Sequence, residues 1–330
     1  MFNTPHGSIG FERLVDYFTA MNSSRRRLPL YVIPQLSQVK AILLTLLLAG
    51  VLPACSQGSE ARPICRLAGQ PVATLDSAES TWSFVEKEQG PLEKLQKSGQ
   101  VPNLQFNRLP KDLNALPNKR IDLFLGLVLP SALHVNAEIR KDRDQLLKLS
   151  QKSSLNAKEE KKLSEWAQVY GLEEPSIPEL LKRVDIVPVS LILAQAADES
   201  GWGRSRFAIE GNALFGQHTN NPNQHSIAAK DADVRLAAFK NLCGSVQAYV
   251  QNLNSTRAYA KFREIRSRVR QSGQKLSGTV LVEGLAQYSQ RGAAYLADLR
   301  SIMKSHELAS FDQAELVGPA RWARVTQDDL

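Results

Sequence analysis

The sequence predicts a mainly α (α+β) protein: a helical domain with a small β-hairpin, set behind a signal peptide and a tether. Three observations carry this reading. Apolar residues recur at steps of three and four through most of the second half of the chain. One Asn-rich stretch, 217–240, breaks that period with short alternations such as Val234-Arg235-Leu236. Near the start lies an uncharged apolar run, Ala41 to Leu52, about as long as a signal-peptide core and short for a membrane span. The division that follows is 1–54 as upstream extension and signal peptide, 55–117 as a weakly structured tether, 118–310 as the folded domain, and 311–330 as a C-terminal tail.

The apolar run AILLTLLLAGVL is preceded by Arg25, Arg26, Arg27 and Lys40 and followed at once by Pro53-Ala54-Cys55. Leu52-Pro53-Ala54-Cys55 resembles the lipobox of bacterial lipoproteins, although proline is unusual inside that box. The resemblance implies that Cys55 is acylated and becomes the mature N-terminus, and that Ser56, being no aspartate, lets the protein go on to the outer membrane, facing the periplasm. Signals usually total about 15 to 30 residues, so initiation at Met21 gives a more ordinary length than Met1. With Cys55 lipidated, Cys65 and Cys243 remain. A disulfide is allowed in an oxidising compartment, but Cys65 falls in the expected tether, and two unpaired thiols are the preferred reading.

From Ser56 to about Leu109, Gly, Pro, Ser and Gln interrupt short apolar pieces, which reads as a tether. Helical period then starts: Ile121, Leu125, Val128, Ala132, Val135 and Ile139 line one face of a long helix over 119–149, with Pro130 as a candidate kink. Shorter helices are expected over 158–170 and 177–184. Pro188 opens the next, where a missing N–H costs nothing, and Gly201 can end it. Further helices are expected over 242–254, 259–271, 279–288 and 293–306.

The net charge of +8 fits a partner with a negative surface. Nucleic acid is excluded as that partner because no zinc finger, basic zipper or related motif appears. Five scattered histidines and three cysteines show no ligand spacing, so no metal is expected, and no nucleotide fingerprint points to a cofactor.

Glu199 stands out on its own residues. Ile192, Ala196 and Glu199 lie three or four apart, so the carboxylate continues the apolar stripe of its helix. A carboxyl so placed loses hydration, its pKa rises, and it keeps the proton that a general acid needs. Gly201-Trp202-Gly203 follows directly, freeing the backbone to turn and offering an indole on which a sugar ring can stack.

The run from Leu193 to Gly203, LAQAADESGWG, followed by Gly211-Asn212-Ala213-Leu214-Phe215-Gly216, resembles the signature of the bacterial glucosaminidase family of murein hydrolases. The likeness continues in Asn252 to Tyr259 and in Leu285 to Gly292, and the latter motifs are most similar to the bacterial Bax subgroup. It covers roughly 118–308. What it implies is a lysozyme-like helical domain that cuts the bond between N-acetylglucosamine and N-acetylmuramic acid in the glycan strands of peptidoglycan. Glu199 then takes the acid position and Tyr288 the active-site tyrosine. Trp202, Asn212, Phe215 and Gly216 shape the substrate cleft.

The family usually carries a second carboxylate on a hairpin after the second motif. Here that stretch offers Asp231 and Asp233 as its acids, and Asp233 is the choice for the base. Without a fixed partner the stereochemistry is open, since it depends on the separation of two carboxylates. Two other readings stand beside the hydrolase: a lytic transglycosylase on the same fold, which needs one acid and no hydrolytic water, and a non-catalytic peptidoglycan-binding lipoprotein.

Overall fold

A computed structural model describes residues 64–219, 221–228 and 235–326. The signal-peptide region, Cys55, Asp231 and Asp233 lie outside the described residues. The fold is mainly helical with a small sheet, as the sequence predicts.

The main departure comes first along the chain. The expected tether is built instead from β1 (Thr74–Leu75), α1 (Ala78–Gln89), α2 (Leu92–Ser98) and β2 (Gln100–Phe106). Ser77 starts α1 with a capping box shared with Ser80. Then comes α3 (Arg120–Ser150), 31 residues long. It is apolar and long enough to cross a membrane, but 72% of its most apolar window is buried inside the domain, which makes it the core helix.

Pro130 sits inside α3 without ending it. A proline has no N–H to give the carbonyl four residues back, which here is Gly126. The side chain of Gln89 at the end of α1 supplies that missing donor, Nε2 to Gly126 O at 3.1 Å. Gly126 also lets α1 approach, because a Cβ there would lie 3.0 Å from Val85 Cγ1. The segment expected to be a tether is thus docked where the proline leaves a carbonyl in need of a partner.

The chain continues through α4 (Ala157–Val169), α5 (Ile177–Arg183), α6 (Val189–Ser200) and α7 (Arg206–Gly211). The expected hairpin follows as β3 (Ser226–Ala228) paired antiparallel with β4 (Arg235–Ala237). Next are α8 (Leu242–Ser255), α9 (Ala260–Gln271) and α10 (Gly278–Leu281). The helix expected over 279–288 tightens after one turn into a 3₁₀ segment, Val282–Leu285, in which Gly284 lies against the backbone of Phe262, where a Cβ would meet Phe262 Cα at 2.5 Å. Last come α11 (Ala293–Ser305) and β5 (Glu315–Val325).

The expected C-terminal tail is therefore a strand. β5 is central in a three-stranded parallel sheet of order β1-β5-β2. Asn107 clamps its end by exchanging two hydrogen bonds with Val325, and Arg321 pairs with Glu88 of α1 at 2.8 Å. The segments expected as tether and tail thus pair with each other.

Cys65 and Cys243 form a disulfide, which corrects the expectation of free thiols. Asn241, the N-cap of α8, donates to Cys65 O at 3.0 Å and so seats the segment beside its partner. The core runs from the sheet through α3 and α6 to α8 and α11, with every residue from Val189 to Ala197 buried. A second cluster, around Trp166 and Tyr170, joins the end of α3 to α4 and α5.

Candidate active site

The site is built on α6. Its first turn has no side-chain cap from Pro188; instead Asp312 accepts from Ser190 N and Ser190 Oγ, both at 2.9 Å. The same carboxylate accepts from Gly278 N at 3.2 Å, so one residue starts both α6 and α10. Burial pushes the Asp312 carboxyl up, against these hydrogen bonds.

At the other end, Gly201, Trp202 and Gly203 are all left-handed, with φ of 59°, 59° and 76°. Gly203 is required for a second reason, since a Cβ would come within 3.0 Å of Leu109, Leu113 and Phe124. Ser200 Oγ accepts from Gly203 N at 2.8 Å, and Arg120 Nη1 reaches the carbonyls of Gly201 and Trp202. The helix end bearing Glu199 is thereby fixed to α3.

Glu199 is half-buried, and burial pushes its carboxyl up to about 7; neighbouring Asp198 acts in the same direction. Two groups oppose the rise. Tyr295 of α11 donates its hydroxyl to Glu199 Oε1 at 2.8 Å, and Arg291 adds a positive charge. Arg291 itself pairs with Asp198 and with Asp298, and lies over the Tyr295 ring at 5.0 Å. The carboxylate is thus the one expected from the helical spacing, with the raised pKa expected from its apolar face.

Opposite Glu199 lies the turn 211–216. Asn212 takes the left-handed conformation at φ 53° and donates Nδ2 to Phe239 O at 2.9 Å. Phe215 is buried and stacks on Tyr249 with ring centroids 4.1 Å apart. Gly216, at φ 62°, faces the acid, because a Cβ there would stand 3.8 Å from Glu199 Oε2. Tyr288 donates its hydroxyl to Phe215 O at 3.1 Å and stacks parallel to Tyr295 at 5.8 Å.

Glu199, Tyr288, Phe215 and Gly216 therefore come together, with Asn212 at the base of their turn. Trp202 goes elsewhere: its indole packs edge-on against Phe124 at 6.0 Å and His306 at 4.7 Å, so it anchors the turn to α3 and α11. Four neighbours of the acid escaped the sequence reading: Gln195, Tyr249, Arg291 and Tyr295. The available signal was Gln195, an amide one helical turn before Glu199 in an otherwise apolar stretch. Among the described residues no three His, Cys, Asp or Glu side chains converge as a metal site would need.

Residues 174–308 match the family model described as mannosyl-glycoprotein endo-beta-N-acetylglucosaminidase. Across 205 residues the chain is 32% identical to Protein bax of Escherichia coli K12, covering 60% of this chain and 72% of that one. The chain belongs to the glucosaminidase family and is Bax-like. Among solved structures it is similar to the catalytic domain of the autolysin Auto from Listeria monocytogenes (17% identity, 52% of this chain and 96% of that one, TM-score 0.31). It is also similar to a peptidoglycan hydrolase from Sphingomonas sp. A1 (22% identity, 37% and 81%, TM-score 0.29). Membership in the Bax-like group rests on the two sequence matches. The family match contains the acid, its turn and the tyrosines of the site, Tyr249, Tyr288 and Tyr295, together with Tyr259, whose ring lies 5.8 Å from that of Tyr288.

Because Tyr288 holds the carbonyl of Phe215, its hydroxyl acts on the turn that faces Glu199. Tyr288→Phe is expected to cut turnover on peptidoglycan by about tenfold or more while costing roughly 1 kcal/mol of stability, the worth of one ordinary hydrogen bond. Turnover assays paired with denaturant melts check this. A large stability loss with normal specific activity would make Tyr288 a packing residue.

Proposed function

We propose that this protein hydrolyses the β-1,4 bond between N-acetylglucosamine and N-acetylmuramic acid in peptidoglycan, with Glu199 as general acid. The observation that carries the proposal is Glu199 itself: a carboxyl at a helix end, opposite a glycine, pushed up by burial to about 7, so that a large share keeps its proton near neutral pH. In that state it gives its proton to the glycosidic oxygen as the bond to the sugar breaks and positive charge develops on the ring; a water then adds to that anomeric carbon and gives up a proton, which leaves the reducing end and restores the acid. Family membership supports the bond class, since the family description names an endo-β-N-acetylglucosaminidase. The net positive charge fits an anionic wall polymer.

The disulfide between Cys65 and Cys243 supports a place outside the cytoplasm, where such bonds persist. The proposed location is the periplasmic side of the envelope, with Cys55 as a lipid anchor to the outer membrane. Metabolic labelling with a palmitate analogue should mark the wild type and not Cys55→Ala; equal labelling of both sinks the anchor.

Mass analysis of digested sacculi tests the reaction. Reducing N-acetylglucosamine ends are expected. Anhydromuramic ends would replace the proposal with a lytic transglycosylase, and absence of products with a binding protein.

A further inference from the structure

Three helices meet behind Glu199 through side chains that a helical core has no need of. Gln195 lies four residues before Glu199 on α6 and is fully buried. Its Nε2 donates to the hydroxyl of Tyr295 at 2.7 Å, and its Oε1 accepts from the hydroxyl of Tyr249 on α8. Tyr295 in turn donates to Glu199 Oε1 at 2.8 Å. Tyr249 and Tyr295 are both buried, so each hydroxyl proton must find an acceptor within the protein.

These contacts have only one consistent direction. A phenol has a single proton, and the amide has a donor end and an acceptor end. Tyr249 gives its proton to Gln195 Oε1, which sets the amide so that Nε2 points to Tyr295. Tyr295 receives that N–H and has one proton left, which goes to Glu199 Oε1. Turning the amide over would set Nε2 against the Tyr249 hydroxyl and take away the acceptor of its proton.

We infer that Tyr249, Gln195 and Tyr295 form a one-way hydrogen-bond relay that holds Glu199 Oε1 as an acceptor and thereby puts the acidic proton on Oε2, the oxygen facing Gly216. The inference rests on Glu199 being the acid proposed above. Tyr295, Gln195 and Tyr249 are positioning residues: they choose which oxygen of Glu199 carries the proton. Without them the proton could sit on Oε1, the oxygen turned toward the buried Tyr295 and not toward Gly216.

The relay also opposes burial. The charged and titratable groups around Glu199 are Asp198 on its own helix, Arg291 ahead of α11, and Tyr249, Tyr259, Tyr288 and Tyr295. Burial and Asp198 raise the acid, while the Tyr295 hydroxyl and Arg291 lower it. Removing the Tyr295 hydroxyl therefore has a signed effect that loosened packing does not share.

The test is the pH profile of kcat/KM on purified sacculi or a soluble glycan fragment, for wild type, Tyr295→Phe and Tyr249→Phe. Both changes keep the ring and remove one hydroxyl. Tyr295→Phe should lower kcat about tenfold or more with KM within about threefold, and move the alkaline limb upward by about one pH unit, since a hydrogen bond to the ionised form is lost. Tyr249→Phe should move the limb in the same direction by less, because it releases the amide and acts through two further bonds. Alkaline limbs that coincide with wild type in both variants would overturn the relay, whatever their rates. Should Tyr295→Phe fail to fold, the Tyr249→Phe profile decides alone. An active Glu199→Gln would instead remove the acid assignment on which the relay rests, so the two failures are distinguishable.

Discussion

Glu199→Gln is expected to abolish glycan cleavage, by a factor of about 10² to 10⁴ or more, while the protein stays folded and still binds its glycan. Glutamine keeps the shape of the side chain and its Oε1 still accepts from Tyr295, but it has no acidic proton for the leaving oxygen. Stability supplies a second, independent signature. Burial raises the Glu199 carboxyl from 4.5 to about 7, so the folded state binds this proton more tightly than the unfolded chain. For such a group, stability falls as pH rises between the two values. Glutamine does not titrate, so the variant should match wild type near pH 4 and exceed it near pH 8. The wild-type rate should fall above about pH 7 for the same reason. Digestion within about threefold of wild type, far less than a general acid is worth, would make Glu199 structural.

How much of this was legible follows from where the information lies along the chain. The helix start at Pro188, the apolar stripe through Ile192 and Ala196, and the glycines at 201 and 203 are local, and they put Glu199 in the last turn of a helix, as α6 has it. The docking of 74–106 is not local. It depends on Gln89 answering a carbonyl exposed by Pro130, and on pairing with a strand more than two hundred residues later. β5 hides its own alternation, because Gly318, Pro319 and Ala320 bulge out of register opposite the Pro102–Leu104 stretch. Tyr295 looks like an ordinary core aromatic on α11, and only the approach of three helices shows what its hydroxyl does. Trp202 is the converse case: it sits beside the acid in sequence, yet the left-handed turn carries its ring to Phe124 and His306.

Asp185→Asn is expected to be the most destabilising conservative change outside the site, costing about 3–5 kcal/mol, the range for breaking a buried ion pair from one side. Asp185 lies between α5 and α6 and is 1% exposed. Arg270 holds it at 2.8 Å, Arg143 lies 3.4 Å away, and the fully buried Arg266 sits at 3.9 Å. Nη1 of Arg266 donates to neutral oxygens, Asp185 O, Ile186 O and Asn254 Oδ1, while its buried Nε makes no hydrogen bond, so the carboxylate supplies its countercharge. Burial alone would push Asp185 up, but the three arginines together hold it below the usual carboxylate range. A depressed carboxyl contributes stability that is fully present above its unfolded pKa and is lost as pH falls through the folded one. Denaturant melts should therefore show the full deficit of Asp185→Asn at neutral pH and a shrinking one as the wild-type carboxyl takes up its proton in acid. Adding Arg266→Met should recover part of the loss, because it removes the charge left without a partner. A neutral-pH deficit below about 1 kcal/mol, typical of an exposed pair, would mean that water already screens this cluster.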